Sequence, residues 1–453
     1  MSPERKRAFR EVSALAWPIV AGNVAHNLVS LVDTWMVGHL PGAQALTSVA
    51  ALGAASSVFL VVFLVFSAVT TGVQVLTARR CGEGRQQEAG GILSSALLLG
   101  LVLAIPATIV GMLLPDLVIP MFVEDAETRA LAISFLDWRL GGGLGAMLLL
   151  FVVKGFLWGT GHVGLDLAAG VVLNMLNLFL NWVLIFGNLG APALGVRGAG
   201  MASAIAATLT LVWLLSMLLR RRWREPYALF RRSGITRDAI HRVVQLSWPR
   251  ALQGLAFSHS AFFFAIIGAN TGKLGLAASN VVWRVAGMTV VISMSIGSAA
   301  ATLVGQNLGR GDPEAAARCA RAASLLALGV TACFALPAVF ASDWMTAQFL
   351  DDTVAAGLAG PCLALTMMFQ LPDAVGIVYS RALTGAGDVR FVAFMEIVCA
   401  WMLCLPATWF FVKAYGPDDA LFGAWIGWAV YCSAWMLAML LRWRHGTWRS
   451  IRV

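Results

Sequence analysis

Long apolar stretches, separated by short breaks rich in glycine, proline and charge, recur along this chain from about Ser13 to Leu441. A helix needs about 20 mainly apolar residues to cross the hydrocarbon core of a bilayer, and the pattern holds twelve such stretches. Only helices or closed barrels satisfy their backbone groups in lipid, and these stretches are too long and too continuously apolar for barrel strands of about ten alternating residues. The expected fold is therefore an all-α integral membrane protein with twelve transmembrane helices in two pseudo-symmetric six-helix bundles. Composition agrees: 59% of residues are hydrophobic and 12% charged, whereas a soluble domain has about a quarter charged.

The division into two bundles comes from an internal repeat. Leu15-Ala16-Trp17-Pro18 returns as Leu246-Ser247-Trp248-Pro249, Gly82-Glu83-Gly84 as Gly309-Arg310-Gly311, and Leu157-Trp158-Gly159-Thr160-Gly161 as Leu383-Thr384-Gly385-Ala386-Gly387. The offset is about 230 residues throughout, which in a membrane chain suggests two packed bundles with a substrate path between them, the plan of a transporter. The expected organisation is an N-terminal lobe over 1–220, a basic connector over 221–242 and a C-terminal lobe over 243–453. Six helices per lobe make the repeat parallel, related by an axis along the membrane normal. Pro18 and Pro249 lie inside the first helix of each lobe, where a missing N–H and ring clash produce a kink that is either a hinge or a fixed bend.

A formal net charge of +9 need not mean nucleic acid. Arg and Lys gather at the N-terminus, in the loop after the second helix, in the connector and at the C-terminus, while the opposite loops carry mostly Asp and Glu. The positive-inside pattern explains this distribution and places both termini in the cytoplasm. The seven cysteines lack a C-x-x-C pair and sit mostly within helices, so neither disulfides nor a metal site is expected. The basic start is read as the entry to the first helix, because Asn23, His26 and Asn27 interrupt the apolar run that a signal peptide would need.

Ionisable groups inside the spans carry the functional reading, since each costs several kcal/mol unless paired, neutralised or facing water. Asp33 follows His26 by two helical turns, with Ser30 between them and Asn23 a turn below, so one stripe of the first helix is polar. Burial disfavours the charged form of a carboxyl group, the property that proton coupling exploits, although a structural carboxylate is the competing reading. Asn174, Asn177 and Asn181 share one face of the fifth helix, as ligands or as interhelical glue. Asp373 stands beside Pro372 in the tenth helix and is a second-lobe candidate, with pairing to Arg284 or Arg250 as its structural alternative. His259 and Arg284 are further cavity candidates. Asp137 and Arg139 would partly neutralise each other, and Lys154, Asp166 and Glu396 are read as mostly structural. The 17 Trp and 24 Phe residues serve interfacial belts or cavity walls.

The segment Leu31-Val32-Asp33-Thr34-Trp35-Met36-Val37-Gly38 after Pro18 resembles the first helix of MATE (multidrug and toxic compound extrusion) transporters. Val304-Gly305-Gln306-Asn307-Leu308-Gly309, Asn177 to Gly187, and Leu383 to Asp388 are similar as well, so the resemblance covers nearly the whole chain. It implies two six-helix lobes and efflux of mostly cationic, amphipathic compounds against a proton or sodium gradient. The chain looks closest to the DinF-like branch, whose buried acid on the first helix is carried here by Asp33. Where that branch often has a second acid on the fifth helix, this chain has Asn181. Asp373 matches the tenth-helix acid of the NorM-like branch, whereas that branch's seventh-helix glutamate finds only Phe257, Ser258 and His259.

These readings converge on a multidrug efflux antiporter of a bacterial inner membrane, not an enzyme, in which Asp33, Asn177 and Asn181 couple ion and substrate. No cofactor is expected beyond the coupling ion, a proton or else sodium. The expected partners are small drug-like molecules and the lipid bilayer, without nucleic acid, and the chain is expected to act as a monomer. The rivals are a lipid-linked glycan flippase, for which Arg139, Lys154, Arg250 and Arg284 would supply positive charge, and a membrane-embedded transferase, which lacks a metal-binding signature here.

Overall fold

The computed structural model describes the backbone of residues 3–40, 44–451 and 453, and the side chains of these except 26–31, 44 and 46. Among the described residues there is no strand. The first half supplies α1 (Pro3–Gly38), α2 (Gln44–Gly82), α3 (Gln86–Val118), α4 (126–160), α5 (Val163–Phe186) and α6 (Gly195–Leu219). The second half supplies α7 (237–271), α8 (273–309), α9 (Pro313–Phe340), α10 (Thr353–Ala386), α11 (389–415) and α12 (417–445).

Among the described residues, length and apolarity alone pick out eight spanning stretches, or nine when the bent α4 is counted. The count reaches twelve because Gly272 (φ 64°, ψ −157°) and Gly416 (φ 77°, ψ −178°) each break a long run into two helices. The remaining helix is α1, which begins at Pro3 and not near residue 13. Its first turns carry Glu4, Arg5, Lys6, Arg7 and Arg10, ahead of its apolar stretch.

The chain divides into two compact units, one of Ala21–Ala251 and the other of Met1–Val20 with Leu252–Val453. Both dividing points fall just beyond the matched prolines, Pro18 and Pro249. In the Ala21–Ala251 unit α4 lies tight against α2: Thr70 donates to the Phe151 carbonyl at 3.1 Å, and a Cβ on Gly159 would sit 2.7 Å from the Gln74 carbonyl oxygen. The other unit repeats the contact, with a Cβ on Gly385 of α10 placed 2.2 Å from the Ala301 carbonyl oxygen of α8. The sequence repeat is therefore also a repeat of close helix packing. The core of this second unit is built on large rings, including Phe263, Trp425 and Trp435.

Helix α4 is the irregular one. A π-helical turn over Asp137–Gly142 interrupts it, and its two arms meet at 51°. The glycines of this stretch let neighbours approach: a Cβ on Gly143 would sit 3.1 Å from the Ala204 Cα of α6.

The basic connector is docked, not loose. Ser94 accepts from the Phe230 N–H at 3.3 Å, and Ser95 accepts from the Thr236 N–H at 3.1 Å, so two α3 hydroxyls cap backbone donors of the connector. Gly90 permits the approach, since a Cβ there would lie 1.8 Å from the Tyr227 carbonyl oxygen. Tyr227 and Leu229 are buried, and burial pushes the Tyr227 phenol up to about 12. His162, in the turn between α4 and α5, meets Trp223 edge-on at 4.6 Å.

Gly90→Ala is expected to undock the connector, at a cost of about 1–3 kcal/mol typical of forced overpacking, and limited trypsin digestion should then cut within 220–237 much faster than in the parent. Burial, and after it the Arg222 charge, holds the His162 imidazole below its ordinary value. The docked state therefore binds fewer protons than a released one, and docking is strongest above about pH 6.5 and weakens as the pH falls below it. Trypsin sensitivity of the connector should rise between pH 7 and pH 5, and His162→Gln should flatten that rise.

Candidate functional site

The polar stripe of α1 and the asparagine face of α5 meet inside the Ala21–Ala251 unit. Asp33, Asn177 and Asn181 are all buried there. Asn181 donates one amide hydrogen to the Asp33 carboxylate and the other to Asn177 Oδ1, at 3.1 Å for the second bond. Asn177 passes the chain on by donating to Ser203 Oγ of α6 at 3.0 Å. Ser203 also accepts from Arg139, which reaches in from the π-helical turn of α4. An acid and a base thus stand at the two ends of a hydrogen-bonded chain that links α1, α5, α6 and α4. The buried Asn181 Oδ1 has no partner among the described residues.

Beside this chain lies a cavity of about 180 Å³. Phe59, Phe63, Met147 and Phe151 form its apolar walls, with Phe63 and Phe151 meeting edge-on at 5.1 Å. Asn177, Ser203 and Arg139 line it, and so do Lys154 and Asp166. The Arg139 guanidinium stacks on Phe59 at 4.3 Å. Lys154 lies 4.7 Å over the Trp158 ring and donates to Asn23 at 3.3 Å, while Asp166 accepts from Trp158 Nε1 at 2.7 Å.

The expected neutralisation of Arg139 by Asp137 is not found. Residues two apart point to opposite sides of a helix, so Asp137 is exposed while Arg139 turns into the cavity. Lys154 and Asp166, read from sequence as structural, line that cavity as well. Ser203 was not anticipated, and nothing in the small-residue pattern of α6 distinguishes it. The side chains of His26 and Ser30 lie outside the described residues.

In the other unit, Asp373 is buried on α10 with Glu396 of α11 and Tyr431 of α12 in electrostatic reach. His259 is buried nearby, its ring 5.9 Å from Tyr431 and parallel to Trp428 at 6.1 Å. Arg284 is exposed and makes no ion pair with Asp373 among the described residues. Pro18 and Pro249 sit within continuous helical stretches, with Pro249 buried.

A family model described as MatE matches residues 18–183 and 249–410, two blocks that fall one in each half of the repeat. The chain belongs to the MatE family. Among curated relatives, this MatE protein is 26% identical to "Multidrug resistance protein MdtK" of Edwardsiella ictaluri, covering 96% of each chain. It is 27% identical to "Multidrug resistance protein NorM" of Photobacterium profundum, covering 97% of this chain and 96% of the relative. Solved structures with the same fold include an outward-facing multidrug resistance MATE family transporter (TM-score 0.88, 21% identity, 98% and 97% coverage). Another is the Vibrio cholerae MATE transporter VcmN in its bent form (TM-score 0.86, 17% identity, 98% coverage of both).

Ser203 is the acceptor for two donors, so Ser203→Ala strands both Asn177 and Arg139. It is expected to lower unfolding stability by about 1–3 kcal/mol, read as a reduced thermal midpoint in detergent, with Ser203→Thr retaining most of it.

Proposed function

We propose that this MatE protein is a secondary active exporter of amphipathic, drug-like compounds in exchange for protons, and that Asp33 is where the proton binds. The observation that carries this reading is the buried Asp33 carboxylate held by Asn181, beside an Asn181 carbonyl that has no donor. An ionised Asp33 accepts from the amide N–H. A protonated Asp33 has a hydrogen to donate, and a half-turn of the Asn181 amide presents the free carbonyl to receive it. The same half-turn removes the donor from Asn177, so one proton rewrites the hydrogen bonds among α1, α5 and α6. Such a change shifts the balance between inward- and outward-facing states because the proton binds them unequally.

A cationic substrate gains from an ionised Asp33 and loses from a protonated one, and this mutual exclusion is the requirement for antiport. The proton is favoured over sodium because Arg139, at the other end of the chain, already supplies the site with a fixed positive charge. Asp373, with Glu396, is the candidate for a second titrating site. The names of the relatives support multidrug efflux, and the charge pattern supports a bacterial inner-membrane protein with both termini in the cytoplasm. Arg139 and Lys154 in one cavity are the features that favour the alternative of a lipid-linked glycan flippase.

Proteoliposomes with imposed pH or sodium gradients separate these readings. The parent is expected to export a lipophilic cation when driven by a pH gradient and not by sodium alone, and Asp33→Asn should cut that export at least tenfold. Full gradient-driven export by Asp33→Asn overturns the proposal.

A further inference from the structure

We propose that the cavity of the Ala21–Ala251 unit binds an aromatic oxyanion, one ring bearing a carboxylate or similar group, with the anionic oxygens on Arg139 and the ring among Phe59, Phe63 and Phe151. The inference deepens the transport reading and rests on it only for the role of Asp33.

Neither cation of the cavity touches a carboxylate among the described residues. Two cations, Arg139 and Lys154, line the cavity, and among the described residues neither has a carboxylate within 4.0 Å. Asp166 lines the same cavity and accepts from Trp158 Nε1 through one oxygen, without touching either cation. Asp33 stands beyond the Asn181, Asn177 and Ser203 links. A guanidinium carries five N–H donors, and Arg139 directs one to Ser203. The rest form the planar fork that suits two oxygens of a carboxylate. Asp33 balances Arg139 only from a distance, so an oxyanion brought into the cavity is the group that can meet the guanidinium fork directly.

The walls select the remainder of the ligand. At about 180 Å³ the cavity is of the same order as the roughly 150 Å³ void that takes up benzene in another protein. It therefore suits a one- or two-ring acid. Phe59 covers a face of the guanidinium and packs at 6.0 Å from Phe63, so a ring entering beside Arg139 meets aromatic edges and faces.

The sign of the coupling to protons follows from the charges that face the cavity. Among the described residues these are Arg139 and Lys154 from α4 and Asp166 from α5, while the lining side chains of α1, α2 and α6 are uncharged; Asp33 lies outside the lining but within electrostatic reach of Arg139. Protonating Asp33 removes a negative charge in electrostatic reach of Arg139, which favours an anion on Arg139. By reciprocity the anion favours protonated Asp33. A cationic substrate and a proton exclude each other, whereas an aromatic oxyanion and a proton bind together. The oxyanion thus holds Asp33 in its protonated form and slows proton-driven export of cations.

The full chain in lipid nanodiscs, titrated with fluorescent 2-naphthoate and its uncharged counterpart 2-naphthamide, tests this directly. Naphthoate is expected to bind at least tenfold more tightly than naphthamide, and at least threefold more tightly at pH 6 than at pH 8. Arg139→Gln should erase the preference for the acid and Arg139→Lys should keep part of it. Asp33→Asn should show the tighter affinity at both pH values, while Asp166→Asn should leave the pH dependence in place. Equal binding of acid and amide by the parent overturns the proposal whatever the variants do, as does a preference that survives in folded Arg139→Gln. Export of tetraphenylphosphonium by the same preparation keeps the two readings apart: export without any acid preference refutes the oxyanion site alone, and acid preference without export refutes the transport reading alone.

Discussion

Polar groups in a membrane interior must find partners within the protein, and in the Ala21–Ala251 unit one chain of side chains meets that constraint. Asp33, Asn181, Asn177, Ser203 and Arg139 are joined end to end, drawing on four helices. Interhelical hydrogen bonds in membranes contribute only about 0.6 kcal/mol on average and up to about 1.7. Their importance here lies in register more than in energy, because each helix can satisfy its polar residue at one depth and one rotation. The walls of the cavity, the tilt of Arg139 and the spare carbonyl of Asn181 all follow from that register.

The duplicated marks in the sequence record backbone requirements, while the ionisable groups record none. Gly161 and Gly387 end α4 and α10 with φ of 82° and 101°, a left-handed conformation that disfavours any side chain. Gly159 and Gly385 sit where a Cβ would strike a neighbouring carbonyl. These positions are therefore held in both halves. The acids are placed differently: Asp33 is on α1 in one unit, whereas Asp373 and Glu396 are on α10 and α11 in the other.

Twelve helices and the shared face of Asn177 and Asn181 were legible because apolar length and i, i+4 spacing act locally, whereas the grouping of Asp33 with them came from the resemblance to MATE transporters. The orientation of Arg139 was not legible, since reading Asp137 and Arg139 as a pair took closeness in sequence for contact, and residues two apart point to opposite sides of a helix. Ser203 carried no signal, being one small residue among many in α6. The connector announced its charge but not its docking. Gly90 and Gly91 with Ser94 and Ser95 read as generic small residues of a membrane helix until Tyr227 and Thr236 are seen against them. Nor did the sequence show that α1 extends to Pro3, because its first turns are as polar as a loop.

The dividing points just beyond Pro18 and Pro249 have a consequence for the order in which the chain is completed. Met1–Val20 is made before the Ala21–Ala251 unit, yet it belongs with Leu252–Val453, which is made after it. At about 5–20 residues per second, roughly 10–50 s of synthesis separate the opening segment from the first of its partners. For that interval its buried side chains, Val12, Ala16 and Ile19 among them, need provisional cover from lipid or from the insertion machinery. The clasp between these two segments is thus a late assembly step, which waits until the whole Ala21–Ala251 unit has been made.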